Sequence, residues 1–382
     1  MREEIMEAEH HDFRELARSF VVKEISPRHP EWEAAGRVDR SVWHAAGGAG
    51  LLGTDMPAEY GGGDALDYRF NAILAEELAA AGAHAPCLPL HNDIVGPYLR
   101  TLSTDEQKER WLPGFCDGSL VTAIAITEPE AGSDIQAMRT SASREGDCWI
   151  LNGSKTFISH GHIADLYLVV ARTPGVLVHG TAVSASIFVV ESHRAGFTRG
   201  RALDKIGMSA LDTSELFFED VAVPAENLLG RPGRAYAHLM RNLPQERLWI
   251  AVSTLAAAEK VFQDTLGYCR ERIVFGQAIG RHQHNRFVLA DLATSLEVAR
   301  SHTDRVLMIH NDGRLSAEEA AMVKLWNTEL CQNVVNRCLQ LHGGYGILRE
   351  NPIARAFVDT RVHTIYGGTT EIMKEIIGQS LI

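Results

Sequence analysis

Apolar positions recur at helical spacing in the first third of the chain, at period two in the middle, and at helical spacing again to the end. Phe13, Leu16, Ala17, Phe20 and Val21 share one helical face; Ile73, Leu74, Glu77 and Leu78 share another, with an alanine-rich flank. The stretch between them, GGAGLLGTDMPAEYGGGD, reads as a loop by its glycine and proline content. Near residue 121 the pattern changes. VTAIAIT, CWILNG, KTFIS, LYLVVAR, ASIFVV and SELFFEDVAV are short, β-branched or aromatic, and separated by turn residues. Asn152-Gly153, between two of these runs, predicts a type I′ hairpin. From about 233 the helical period returns. The pattern predicts an N-terminal helical domain over 1–120, a central β domain over 121–225 and C-terminal helices over 226–382, without internal repeats.

Composition narrows the function classes. The chain has 382 residues, enough for about two or three domains. Its 37 Lys+Arg against 49 Asp+Glu give a net charge of −12, which argues against a nucleic-acid partner. A small anion held by a few local arginines stays open. The start, MREEIMEAEHHDFRELARSF, lacks the apolar region and cleavage site of a secretory leader. No run approaches the roughly 18 apolar residues of a membrane helix, so stable membrane insertion is not expected. The six cysteines are scattered with no CxxC, which argues against disulfides or zinc and for a cytoplasmic, reducing compartment. His282 and His284 would share one strand face, but no third ligand lies near them and no metal is expected. Gly48, Gly50 and Gly53 match G-x-G-x-x-G. A dinucleotide fingerprint needs a strand before it and a helix opening at it; here helix-like SVWHAA precedes and TDMP follows, so the match is set aside.

Four segments carry candidate chemistry. In AITEPEAGSD a strand end opens into a loop where Thr127 and Ser133 offer hydroxyls to a polar ring edge; alternatively, Glu128 and Asp134 simply satisfy loop amides. In KTFIS, alternation puts Thr156 and Ile158 on one face and Phe157 and Ser159 on the other. An aromatic beside a hydroxyl suits a flat ring with a polar nitrogen, or an ordinary buried strand. Arg272 has the planar fork expected of a pyrophosphate reader. Gly343 and Gly344 in QLHGGYG bare their amides to a phosphate or adenine, or end a helix.

TEPEAGSD (127–134), NGSKTFIS (152–159), RIVFGQAIGRHQ (272–283), QLHGGYG (340–346) and IYGGTTEI (365–372) stand in the order seen in acyl-CoA dehydrogenases. The chain resembles that family over nearly its whole length, and the long-chain type most in pattern. The resemblance implies an α+β multidomain fold: a helical N-terminal domain, a central antiparallel β-barrel and a C-terminal four-helix bundle. It implies a homotetramer, a dimer of dimers, with FAD at a subunit interface. The implied reaction is α,β-dehydrogenation of an acyl-CoA to the trans-2-enoyl-CoA, with electrons passing to an electron-transfer flavoprotein. By the same resemblance Ile126, Thr127 and Ser133 face the flavin, and Ser133 also meets the CoA. Phe157 packs along the flavin where the family often has Trp; Ser159 lies near N5 where Thr is common. Arg272, Phe275 and Gln283 reach the FAD of a neighbouring subunit, with His282 where Phe is usual. Gln340, Gly343, Gly344, Thr369 and Glu371 border the adenosine half.

The chemistry removes a proton from Cα and a hydride from Cβ, and it needs a carboxylate in a desolvated pocket. Many family members carry that carboxylate directly after the Tyr of the IY-x-GT motif, where this chain has Tyr366 and then Gly367. Either the chain is a non-catalytic subunit of a heteromeric enzyme, or the base lies elsewhere. The long-chain and isovaleryl types place it before an Arg-Leu pair, which matches Glu246 in LPQERL (243–248). Pro244 predicts a kink or a fresh helix start, with Asn242 and Gln245 as a capping pair, so that the dipole end lowers the Glu246 pKa and burial opposes it. The plainer reading is a solvated Glu246 paired with Arg247. The resemblance gives the Gly367 amide a part in polarising the thioester carbonyl, puts Tyr366 and Gly367 at the substrate, and sets Arg247 near its CoA end. An oxidase or flavin monooxygenase on the same fold is the remaining alternative. Acyl length would depend on the helices around 73–100 and 243–255.

Overall fold

A computed structural model describes residues 1, 3–174, 176 and 184–382. The first part is helical: α1 Ala8–Phe20, α2 His29–Ala35, α3 Ser41–Gly48, α4 Arg69–Ala80, α5 Gly96–Leu102 and α6 Asp105–Asp117. A wide π turn, Leu90–Val95, leads into α5. α4 buries nearly its whole length, including Glu76 and Glu77. Those two acids are neutralised by Arg14 and Arg18 of α1 and by Arg300, which explains how a charged pair sits in an apolar stripe. The G-x-G-x-x-G match follows a helix and precedes irregular turns, as the sequence indicates.

The middle part is one sheet: β1 Thr122–Ala125, β2 Ser141–Glu145, β3 Cys148–Ser159, β4 Leu166–Arg172, β5 Ala185–Glu191, β6 Phe197–Ala202, β7 Thr213–Pro224 and β8 Leu228–Leu229. Its order is β6-β7-β3-β2-β4-β5-β8, with β1 beside β4. Among the described residues the ladder is open and does not close into the expected barrel. Nor is it wholly antiparallel, because β4 pairs in parallel with both β1 and β2. The Asn152-Gly153 hairpin is also overturned. The β2–β3 turn falls at Gly146-Asp147, with Gly146 at φ 59°. β3 runs straight through Asn152, with a register shift beside Gly153. A Cβ on Gly153 would lie 2.5 Å from Thr140 Oγ1, and the Asn152 side chain closes two 2.9 Å hydrogen bonds with Asp220. The pair thus serves a bulge and a close approach.

Helices return with α7 Ala235–Glu271, α8 Gln283–Asn311, α9 Ala317–His342, α10 Pro352–Asp359 and α11 Thr370–Leu381. α7, α8 and α9 pack together, and α11 lies on α9. Between α7 and α8, β9 Ile273–Val274 and β10 Gln277–Ala278 form a small hairpin. The two-residue turn with both φ values positive, the type I′ signature, occurs here at Phe275 (51°) and Gly276 (77°). His282 and His284 begin α8 as its cap and first turn, so they share no strand face. All six cysteines are unpaired. Among the described residues no helix is long and apolar enough to cross a membrane.

Candidate active site

α7 runs unbroken through Pro244. Glu246 therefore lies about three turns inside a helix, beyond reach of the N-terminal dipole, and the cap at Asn242–Gln245 does not form. Nor is it the solvated partner of Arg247: the residue is 7 % exposed, and the two side chains make no ion pair. Burial raises the Glu246 carboxyl to about 7, against a hydrogen bond from Tyr98 and the charge of Arg247, which both lower it. The Tyr98 hydroxyl, on α5, donates to Oε1 at 3.0 Å.

Gly367 joins this group through its backbone. It sits at φ 64°, and a Cβ there would lie 2.3 Å from Ile250 Cδ1 on α7. A side chain at 367 would have to displace the end of Ile250 and sit at positive φ, so this turn suits glycine better than a carboxylate residue. Arg247 Nε lies 3.4 Å from Gly367 O, and the buried Lys324 Nζ of α9 donates to Gly368 O at 2.7 Å. Arg247 is thus buried and turned inward on the glycine turn. Tyr366 stacks on His363 (centroids 5.5 Å apart) and faces Trp249. Lys324 escaped the sequence reading, although a lysine inside AAMVKLW is a charge at an apolar helical position.

The loop after β1 is held from below. Lys155 Nζ donates to Ile126 O at 2.9 Å and pairs with Glu128 at 2.7 Å, both side chains buried. Glu128 also accepts from the Arg139 and Thr140 amides, and Asp134 from that of Gln136. Turn chemistry is thus present, and it leaves Ser133 exposed and Thr127 half-buried at the loop surface. Beside it, β3 is irregular between Lys155 and Ile158. Phe157 there takes φ 58° and is 67 % exposed, while Ser159 is half-buried. An aromatic side chain in left-handed backbone, bare to solvent, is strain of the kind that collects at ligand sites. The Tyr236 hydroxyl of α7 reaches Ile135 O at 3.4 Å and ties this loop to the helix that carries Glu246.

The remaining predicted residues lie apart from that group. Arg272 follows the C-terminal end of α7. With His342, Gly343, Gly344 and Tyr345 it lines a cleft of 440 Å³, and its guanidinium lies over the Tyr345 ring. Gly343 caps α9 at φ 58° with its N–H donating to Gln340 O, which is the helix-end reading of QLHGGYG. His342 Nδ1 is buried at this cleft without a hydrogen bond. Phe275 is 92 % exposed at the tip of the β9–β10 hairpin, which His282 closes through Val274 O. Gln283 and Gln340 are exposed nearby in sequence. Thr369, the cap of α11, and Glu371 line a different groove with Glu329 and Arg361.

Family models match the chain from end to end: acyl-CoA dehydrogenase N-terminal domain over 7–119, middle domain over 123–221 and C-terminal domain over 235–382. It is 46% identical over 380 residues to the mitochondrial long-chain specific acyl-CoA dehydrogenase of Mus musculus, covering 99% of this chain and 87% of that one. The crystal structure of an acyl-CoA dehydrogenase from Geobacillus kaustophilus superposes with a TM-score of 0.95 at 43% identity, covering 99% of both chains. An acyl-CoA dehydrogenase of Bacillus anthracis, solved with FAD, superposes at 0.92 with 29% identity over all of this chain and 68% of that one. The chain belongs to the acyl-CoA dehydrogenase family.

Proposed function

We propose that this protein is an FAD-dependent acyl-CoA dehydrogenase that converts an acyl-CoA thioester to the trans-2-enoyl-CoA, with Glu246 as the base. The observation that carries the reading is the Glu246 carboxylate, buried beside the glycine turn 367–368 and raised to about 7, where it can both hold and release a proton near neutral pH. Glu246 takes the Cα proton. The Gly367 amide donates to the thioester carbonyl as negative charge builds there, on a turn whose carbonyls Arg247 and Lys324 hold. Tyr366 and the exposed Ser133 complete the substrate side.

The residues present fit FAD. The exposed Phe157 with Ser159, and the Ile126–Thr127 loop edge, suit a flat ring with polar atoms on one side. The cleft of Arg272, Gly343 and Gly344, with the unpaired His342 Nδ1, suits a diphosphate and adenosine. Gln283, Phe275, Gln340, Thr369 and Glu371 would serve the same half from their exposed positions. When bound, FAD supplies the two-electron acceptor for the hydride leaving Cβ. Electrons then pass to an electron-transfer flavoprotein, and the working form is a cytoplasmic homotetramer built as a dimer of dimers.

Glu246→Gln tests the reading. The variant keeps its bound yellow flavin, and anaerobic addition of a panel of acyl-CoAs bleaches it at least about a hundredfold more slowly than wild type. Unslowed bleaching would rule Glu246 out as base.

A further inference from the structure

We infer that Tyr98 is a positioning residue for the base: from α5 it fixes the Glu246 carboxylate by a hydrogen bond to Oε1, and proton abstraction depends on that bond. The inference rests on the reading of Glu246 as base.

Tyr98 is fully buried, and a phenol taken out of water without an acceptor is costly. The acceptor it finds is Glu246, 148 residues away in sequence, at 3.0 Å. The ionised carboxylate carries no proton, so in the base form of Glu246 the Tyr98 hydroxyl is the donor. Among the described residues no second hydrogen bond reaches the carboxylate, so the incoming Cα proton is directed to Oε2.

The other charged groups around the pair leave this role to Tyr98. Arg247, on the same helix, faces Gly367 O. Lys324, from α9, faces Gly368 O. Asp93, in the π turn before α5, turns its carboxyl to Asn71 and offers only its backbone carbonyl to Gln245. Donation to the ionised form favours that form. Its loss leaves burial opposed by Arg247 alone.

Tyr98→Phe keeps the ring and removes the donor. In the holoenzyme, with a straight-chain acyl-CoA that the wild type oxidises, the acid limb of kcat moves up by about one pH unit. The rate near neutral pH falls about fivefold, the deficit closes at high pH, and KM stays within about twofold because the ring is kept. A deficit of equal size at every pH, or an unmoved limb, would overturn the inference. Glu246→Gln measured alongside separates the two readings. If it still bleaches flavin, the base and the role of Tyr98 both fall. If it is inactive while the Tyr98→Phe limb stays put, the role of Tyr98 falls alone.

Discussion

Burial, only partly offset by the Tyr98 hydrogen bond and the charge of Arg247, raises the Glu246 carboxyl from 4.5 to about 7, so the folded protein holds it near half ionisation at neutral pH. Because the folded value lies above the unfolded one, folding favours the protonated form. That contribution is complete below about pH 4.5 and is lost as pH rises through about 7. Glu246→Gln keeps an oxygen for Tyr98 and never ionises. Its stability relative to wild type should therefore improve by about 2–3 kcal/mol between about pH 5 and about pH 8, read from urea unfolding at both pH values. A gap that stays constant would mean that the group ionises as freely in the fold as in the open chain. The motif LPQERL identifies this residue in the sequence, but not its environment. Pro244 pointed to a helix start and a pKa pulled down by the dipole, whereas the unbroken helix buries the group and pushes it up. The deciding neighbour, Tyr98, lies on another element, and no spacing rule connects the two.

At the scale of elements, the glycine turn is legible as a departure from the family pattern, but its cause is a packing contact. A Cβ on Gly367 would lie 2.3 Å from the end of Ile250, so α7 leaves no free space for one at this turn. Gly367→Ala must push Ile250 aside and hold an alanine at positive φ, a strain of about 1 kcal/mol. If the Gly367 amide serves the thioester carbonyl as proposed, displacing it should lower activity about tenfold to a hundredfold while flavin stays bound. Adding Ile250→Ala makes room and should restore a substantial part of the rate. If the double variant is no faster than the single one, the crowding at Ile250 is not what shapes the turn. The sheet shows the same limit of pattern reading. Period two located the strands, because burial on one face requires it. Closure and the site of the hairpin depend on long-range pairing and on Thr140 lying against Gly153, which local pattern does not carry.

Across the whole molecule, Glu246 and Arg272 lie too far apart to serve one flavin within one chain. Arg272 follows the end of the helix that bears Glu246; 272 − 246 residues at about 1.5 Å each separate them by roughly 39 Å. The flavin ring and the diphosphate of FAD are joined by a single ribityl chain, much shorter than that span. If both residues serve FAD sites, each site takes Glu246 from one chain and Arg272 from another. The strained, bare Phe275 beside Arg272 fits a hairpin that reaches across such an interface. On that reading the net charge of −12 describes the outer surface, and local groups such as Arg272 would hold the anionic cofactor. Complementation tests the arrangement. Glu246→Gln and Arg272→Ala, each deficient alone, are co-expressed with different affinity tags, and assemblies carrying both tags are isolated. If the residues act in trans, a mixed pair has one site with both lesions and one with neither, and dehydrogenation returns. If they act in cis, every site in the mixed assembly carries one lesion, and activity stays at the level of the separate variants.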